Sequence, residues 1–231
     1  MALPPGCVVI DNPLSKYYLT LLRRHDTPPS VYREALRKIG FILGYELARY
    51  FLWKDVIVET TTVKTIGVAP KNPVYIVGVL GASIPLMHGM WEALPWAGLG
   101  LVATRRKHVD NELHVELYYE RLPEDLSNYA VIAVDPMLAS GKTMEKVVSK
   151  LLARGPKKIV IATVVASKAS VERLRSVYPD IPIVAISVDP VLDSRFYIIP
   201  GIGDAGDRSL SADLTIVDEG DKEWENSQFT I

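Results

Sequence analysis

The chain has 231 residues, 48% of them hydrophobic, with 26 Lys and Arg against 27 Asp and Glu for a formal charge of −1. This length and apolar content exclude disorder and fibrous structure and are enough to bury a sizeable core, while the near-neutral balance provides no positive field to gather a nucleic-acid backbone. The one cysteine, Cys7, has no partner for an internal disulfide, which argues for a reducing compartment; we read the protein as cytoplasmic. Nothing at the start resembles a signal peptide.

Helical spacing begins near Asn12-Pro13, with Leu14, Tyr17, Tyr18, Leu21 and Leu22 on one face and Arg23 to His25 at the C-terminal end, where cations suit the helix dipole. The break Thr27-Pro28-Pro29-Ser30 ends this helix, and a second, mostly buried one is predicted over Val31 to Trp53. Residues 1–54 thus form an N-terminal helical segment. From Asp55 the composition turns β-branched. Strands are predicted at 74–80, 98–104, 113–120, 130–134, 158–166 and 182–188, and helices at 84–94, 142–153 and 169–177, with an irregular charged stretch from 105 to Glu112. The uncharged run from Asn72 to Trp91 is long enough to span a bilayer, but Pro73, Pro85 and three glycines divide it into a strand, a turn and a helix start. Near-continuous apolar strands such as Ile159 to Val165, separated by helices, predict an α/β fold: an open, mostly parallel twisted sheet with helices on both faces. Ligands bind such sheets outside the carboxyl ends of the strands, so the residues after Leu80, Thr104 and Val134 are the first candidates for a site.

One of those candidates carries its own chemistry. Val131 to Val134 is a strand ending in Asp135, and Pro136-Met137-Leu138-Ala139-Ser140-Gly141 leads directly into a helix that starts at Lys142-Thr143. Gly141 allows close backbone approach, the N–H groups of the helix start face an anion, and Ser140 and Thr143 add hydroxyls. A nucleotide-triphosphate P-loop is excluded, because Pro136 stands where that motif needs a glycine. The strand-end carboxylate suits ribose hydroxyls beside a phosphate. The same residues also read as an ordinary turn at Asp135 with Ser140 as a helix cap.

The segment Asp135 to Gly141 resembles the ribose-phosphate loop of type I phosphoribosyltransferases, in particular that of the uracil phosphoribosyltransferase family. A second segment, Tyr197-Ile-Ile-Pro-Gly201-Ile-Gly-Asp-Ala-Gly-Asp-Arg208, resembles that family's uracil-binding signature. Further similarity covers Asn12-Pro-Leu, the helix from Tyr32 to Glu46, Pro85 to Met90 and Tyr118-Tyr119, and is greatest to archaeal members. The resemblance implies one phosphoribosyltransferase-like domain with a small hood, and transfer of the phosphoribosyl group of 5-phosphoribosyl-1-pyrophosphate (PRPP) to uracil, giving UMP and pyrophosphate. It further implies that Asp135 to Thr143 and Asp204 meet PRPP, that Arg106 meets the pyrophosphate, and that Ile198, Gly203, Asp204 and Ala205 read the uracil edge. Arg106 and Asp204 are its candidate catalytic residues. Mg2+ is implied as the cofactor, held through PRPP and water, and GTP as an effector acting at Glu34 to Lys38, where Glu34 replaces an expected basic residue.

The pattern departs from the family at one charged position. Leu80-Gly81-Ala82 stands where the family has Leu-Arg-Ala, so an arginine for the leaving pyrophosphate is missing; Arg105 or Lys107 is a possible substitute. That loss leaves two alternatives open, a nucleotide-sensing module without transfer and a transferase for another base. The apolar surface of the first two helices predicts a homo-oligomer. Residues 209–231 form a C-terminal extension without a functional reading.

Overall fold

A computed structural model describes residues 6–109 and 112–213, with the backbone alone at 106–109 and 112–114. The elements, in chain order, are β1 (Cys7–Val9), α1 (Pro13–Arg23), α2 (Pro29–Leu47), a 3-10 turn (Ala48–Tyr50), β2 (Trp53–Glu59), β3 (Lys64–Pro70), β4 (Val74–Val79) and α3 (Ser83–Ala93). Then follow β5 (Gly98–Val109), β6 (Glu112–Arg121), β7 (Ala130–Val134), β8 (Met137–Leu138), α4 (Lys142–Leu152), β9 (Lys158–Ser167) and α5 (Lys168–Val177). The last described elements are β10 (Ile183–Asp189), β11 (Val191–Leu192), β12 (Ile198–Ile199) and α6 (Ala205–Leu210).

Local chemistry starts and aims these elements. Asn12 caps α1 by accepting the Leu14 N–H at 2.8 Å, with Pro13 at the first helical position, where a missing N–H costs nothing. In α4 the buried residues Met144, Val147, Val148 and Leu151 fall three and four apart, a single stripe that faces the sheet. Main-sheet strands run β1-β10-β9-β7-β4-β5-β6, with β8 beside β9, and all pairings are parallel except β5 with β6. Side chains alternate between faces. Ile132 and Val134 pack with Leu36, Ile39, Leu86 and Met90 on one side, while Val131 and Ala133 pack with Met144, Val147, Val171 and Leu174 on the other. This is the open, two-sided α/β sheet expected from the apolar strands. The run from Asn72 to Trp91 resolves into β4, a turn and α3, and among the described residues no helix is long and apolar enough to cross a membrane.

Three expectations need correction. The second helix stops at Leu47, and Trp53 instead opens an antiparallel ribbon in which Trp53 to Glu59 pairs with Lys64 to Pro70. Its indole N–H donates to the Ala48 carbonyl at 3.0 Å, so the ring folds back over the 3-10 turn. The charged stretch after Thr104 is regular on either side of 110–111: β5 runs on to Val109, and Arg105 lies opposite Glu116 of β6 with a 2.8 Å ion pair. Charge in this stretch conceals a regular backbone, which the cross-strand pair of Arg105 and Glu116 supports. The boundary drawn at 209 falls inside α6, and Arg33 donates to the Ser209 and Ser211 carbonyls at 3.0 Å each. Residues 214–231, with Asp218 and Trp224, lie outside the described residues.

Helices α2 and α3 are in intimate contact through glycine. A Cβ at Gly89 would lie 1.7 Å from the Arg37 carbonyl oxygen and 2.9 Å from the Phe41 nitrogen, both backbone atoms that cannot swing away. Gly89→Ala is therefore expected to destabilise by roughly 2–3 kcal/mol. That corresponds to a melting temperature lower by roughly 5–10 °C, readable by circular dichroism.

Candidate active site

The phosphate-loop candidate leaves the sheet where β7 ends. The Pro136 carbonyl accepts from the Val164 and Val165 N–H groups at 3.2 and 3.1 Å, tying the loop to β9. Two serines then set its orientation: Ser167 Oγ donates to the Ala139 carbonyl at 2.5 Å and Ser170 Oγ to the Leu138 carbonyl at 2.7 Å. With those carbonyls turned onto hydroxyls of β9 and α5, the lone pairs that would repel an anion point away from the loop's inner side. Ser167 is also the cap of α5, accepting from Ser170 N–H at 2.9 Å. Along the chain this pair shows only as a small residue at a strand end followed by another three places on.

The inner side is a small hollow lined by Asp135, Met137, Leu138, Ala139, Ser140, Gly141, Thr143 and Met144. Its narrowness suits one anionic group rather than a whole nucleotide. Of the loop residues expected to meet a ligand, Pro136 and Lys142 do not line it. Gly141, not Ser140, is the cap of α4; it has φ +77°, the left-handed region, and Ser140 Oγ is a distant 3.5 Å acceptor for Lys142 N–H. The first turn of α4 presents N–H groups that have no carbonyl one turn earlier, the usual cradle of an anion. Asp135 does form a turn, its Oδ1 accepting Met137 N–H at 3.2 Å, and it still lines the hollow.

The glycine-rich segment emerges beside the end of β10. Ile198 is buried and pairs with Leu192, Ile199–Pro200 is cis, and the Gly201 N–H donates to Asp189 Oδ2 at 2.8 Å. Asp189 is only 3% exposed. Burial pushes its carboxyl up, but hydrogen bonds from Arg23, Ser187 and the Gly201 N–H, with the Arg23 charge, outweigh this and hold it below the usual carboxylate range. The Ile202 carbonyl accepts from Tyr32 Oη at 3.1 Å and Arg208 Nη1 at 2.8 Å, and the Arg208 guanidinium stacks 4.3 Å from the centre of the Tyr32 ring. Arg208 also donates to the Leu22 and Arg24 carbonyls, closing the C-terminal end of α1 onto this segment. Asp204 is exposed and caps α6, accepting Asp207 N–H at 3.0 Å; Gly203 is exposed and Ala205 buried beside it. The ends of β7 and β10 are separated by β9 alone, two strand spacings or roughly 10 Å. Arg23, Tyr32, Asp189, Ser167 and Ser170 all serve these two loops, and sequence reasoning did not single them out for it.

On the other side of β7 stands the departure from the family pattern. Gly81 has φ +108°, a conformation that L side chains rarely adopt, and its carbonyl accepts Ile84 N–H at 3.1 Å as α3 begins. Arg105 is not a ready substitute for an arginine here, because it is committed to Glu116 and lies 5.8 Å from the Tyr118 ring. Arg106 lies on β5 opposite Val115, four residues past Val102, the last residue paired with β4. Its side chain, like that of Lys107, is outside the described residues.

Comparison with known proteins bears on this arrangement. The family model described as uracil phosphoribosyltransferase matches residues 9–211. Proteins named uracil phosphoribosyltransferase from Aeropyrum pernix and Pyrobaculum islandicum are 41% and 38% identical, over 88% of this chain and 95% and 98% of their own lengths. A solved protein structure from Aquifex aeolicus superposes with TM-score 0.83 at 29% identity, covering 90% of this chain and 99% of that one. An adenine phosphoribosyltransferase from Leishmania tarentolae, at 14% identity, 81% and 94% coverage and TM-score 0.57, shares the fold alone.

The backbone at 81 makes a simple restoration of the arginine costly. Gly81→Arg forces a side chain into the positive-φ region for roughly 1–3 kcal/mol. A thermal melt is expected to fall by roughly 3–10 °C, and an unchanged melt would mean that the turn before α3 readily takes another path.

Proposed function

The chain belongs to the uracil phosphoribosyltransferase family, and from that premise we propose that its two loops at the sheet edge divide one reaction between them, the β7 loop holding the phosphoribosyl donor and the Gly201 segment holding the base. The reaction is transfer of the phosphoribosyl group of PRPP to N1 of uracil, which forms UMP and pyrophosphate in pyrimidine salvage. A nucleotide sensor without transfer, or a transferase for another base, has no comparable support among relatives 35–41% identical over most of the chain. The observation that carries the assignment is the β7 loop, with Leu138 and Ala139 carbonyls turned onto Ser170 and Ser167 and the start of α4 facing the hollow.

Cleavage of the bond from C1 to pyrophosphate builds positive charge on the ribose and negative charge on the leaving group. In this proposal Ser140, Gly141 and Thr143 take the 5-phosphate through hydroxyl and backbone donors. Asp135 accepts from the ribose hydroxyls, and its negative charge, with that of Asp204, favours the developing cation. Arg106 answers the pyrophosphate from the β5–β6 ribbon, and the backbone of Ile198 and Gly203 to Ala205 reads the amide-like edge of uracil. The C1–O bond breaks, the N1–C1 bond forms, and the N1 proton leaves to water. Among the described residues no cluster of three metal-ligating side chains occurs. Mg2+ commonly keeps several waters and takes substrate phosphates, so here it would be held through PRPP and water, with Asp204 facing it through a bound water. When bound it neutralises charge on the departing pyrophosphate.

The same proposal includes a cytoplasmic homo-oligomer acting on small molecules. Its support is exposed apolar surface: Leu14, Tyr17, Phe41 and Tyr45 on α1 and α2, and Ile57 opposite Ile66 on the β2–β3 ribbon at 79% and 72% exposure. Light scattering that finds only particles of one chain's mass would refute it. For GTP, the α2–α3 cleft lined by Arg33, Glu34, Arg37 and His88 is the place to look. Arg37 there is already forked onto Glu34 and Glu92 at 2.6–2.8 Å, so the response to GTP is expected to be weaker than a basic residue at 34 would give.

The direct test is UMP formation from uracil and PRPP with magnesium, with and without GTP. Asp204→Asn isolates the chemistry, because asparagine caps a helix as well as aspartate. Turnover is expected to fall roughly 10- to 100-fold with an unchanged melt, whereas Asp204→Ala should also lose roughly 0.5–2 kcal/mol of stability. Unaltered turnover in Asp204→Asn would remove the residue from the donor site.

A further inference from the structure

We infer that Arg23 and Asp189 are positioning residues for the base, fixing the backbone of the Gly201 segment from beneath so that its free edge is presented at one height and angle. The inference rests on the assignment of that segment to uracil. Asp189 is the last residue of β10 and its carboxylate is fully engaged: Oδ1 accepts from Arg23 Nη2 and Ser187 Oγ, each at 2.7 Å, and Oδ2 accepts from Arg23 Nη1 and Gly201 N–H, each at 2.8 Å. Arg23 Nη1 then donates onward to the Gly201 carbonyl at 2.9 Å.

Gly201 is thus held by both its N–H and its C=O, which belong to two successive peptide planes. Fixing both planes fixes φ and ψ of a residue that has no side chain of its own to pack. The next carbonyl, Ile202, is held by Tyr32 and Arg208. The Gly201 N–H and the Gly201 and Ile202 carbonyls are therefore committed to the end of β10, α1, α2 and α6, immediately before the exposed Gly203 and Asp204. A base read by backbone donors and acceptors depends on where those atoms stand, because a shift of about 1 Å can cost roughly 100-fold.

Stability alone is a poor explanation for the pair. Buried ion pairs are often no better for folding than apolar residues of the same size, and their best-attested use is to specify geometry. The fork reaches no part of the phosphate loop, so its effect should fall on one substrate and spare the other.

Asp189→Asn and Arg23→Lys, each in the full chain, test this. Asparagine removes one acceptor under Gly201 and the charge that orients Arg23. Lysine keeps the charge opposite Asp189, and so the fold, but one ammonium cannot span Asp189, Ser187 and the Gly201 carbonyl in the fixed geometry of a guanidinium. The expected result is a KM for uracil raised roughly 10- to 100-fold in Asp189→Asn and less in Arg23→Lys. KM for PRPP and kcat should stay within about threefold. Amide exchange of a peptide covering 198–206 should be faster than in the parent protein. An unchanged KM for uracil in a folded variant would overturn the inference, as would equal rises in both KM values. Failure of the uracil assignment would be seen separately, in a parent protein that uses another base and not uracil; the positioning role then stands or falls on the same split for that base.

Discussion

The strand order turns back between β4 and β7, and the site follows from that reversal. From β4 the chain adds β5 and β6 on one side; from β7 it adds β9 and β10 on the other, with β1 at the far edge. At such a point the loops leaving two adjacent strands diverge and leave a crevice above their carboxyl ends. Gly81 follows one of those strands and Asp135 the other, and the Gly201 segment is secured at the end of β10, on the same side as the phosphate loop. Burial of the sheet on both faces makes this edge the place where polar backbone can meet a ligand without an unpaired cost. The phosphate loop uses it fully, since its outward carbonyls are satisfied by Ser167 and Ser170.

What could be read along the chain was whatever depends on neighbours in sequence. The spacing of Met144, Val147, Val148 and Leu151 announced α4, and unbroken apolar runs at Val131 and Ile159 announced buried parallel strands. Strand β6 was legible as the run 113–120, but the charges at 105–107 hid the continuation of β5 to Val109, and with it the pairing of Arg105 with Glu116. Trp53 was absorbed into a helix because an aromatic after an apolar run fits either state until the ribbon pairing decides. In the site, the anion loop and the glycines were legible as local motifs. Arg23 and Asp189, 166 residues apart, carried no local signal: one looked like a dipole-favoured cation at a helix end, the other like a residue between a strand and a proline.

Gly81 is more than a missing charge. The backbone there has a positive φ, which glycine takes without strain and an arginine would take only at a cost. In the proposed reaction the charge of the leaving group would be met from the β5–β6 ribbon and from backbone donors near the start of α3. Arg105 is engaged with Glu116, which leaves Arg106 as the position of the ribbon that the family pattern assigns to pyrophosphate. In the proposed reaction, transfer would draw on a ribbon that extends beyond the paired part of β4, rather than on a residue built into the sheet edge.

The two loops are held by opposite means, which suits the substrate proposed for each. Neutral serine hydroxyls suffice behind the phosphate loop, because a negative ligand supplies the charge and only the direction of the N–H groups matters. A buried carboxylate behind that loop would oppose the phosphate. Uracil is uncharged, so its loop tolerates a charge behind it, provided that charge is neutralised; Arg23 does so on Asp189 at 2.7 Å. The glycines that let a flat base approach also remove the side chains that would otherwise pack the loop in place. Apolar burial cannot orient a bare peptide plane, whereas a planar guanidinium fork on a buried carboxylate fixes direction as well as distance. On the proposed assignment the ion pair stands where recognition would be by backbone alone, and its contribution would be geometry at the base rather than stability of the fold.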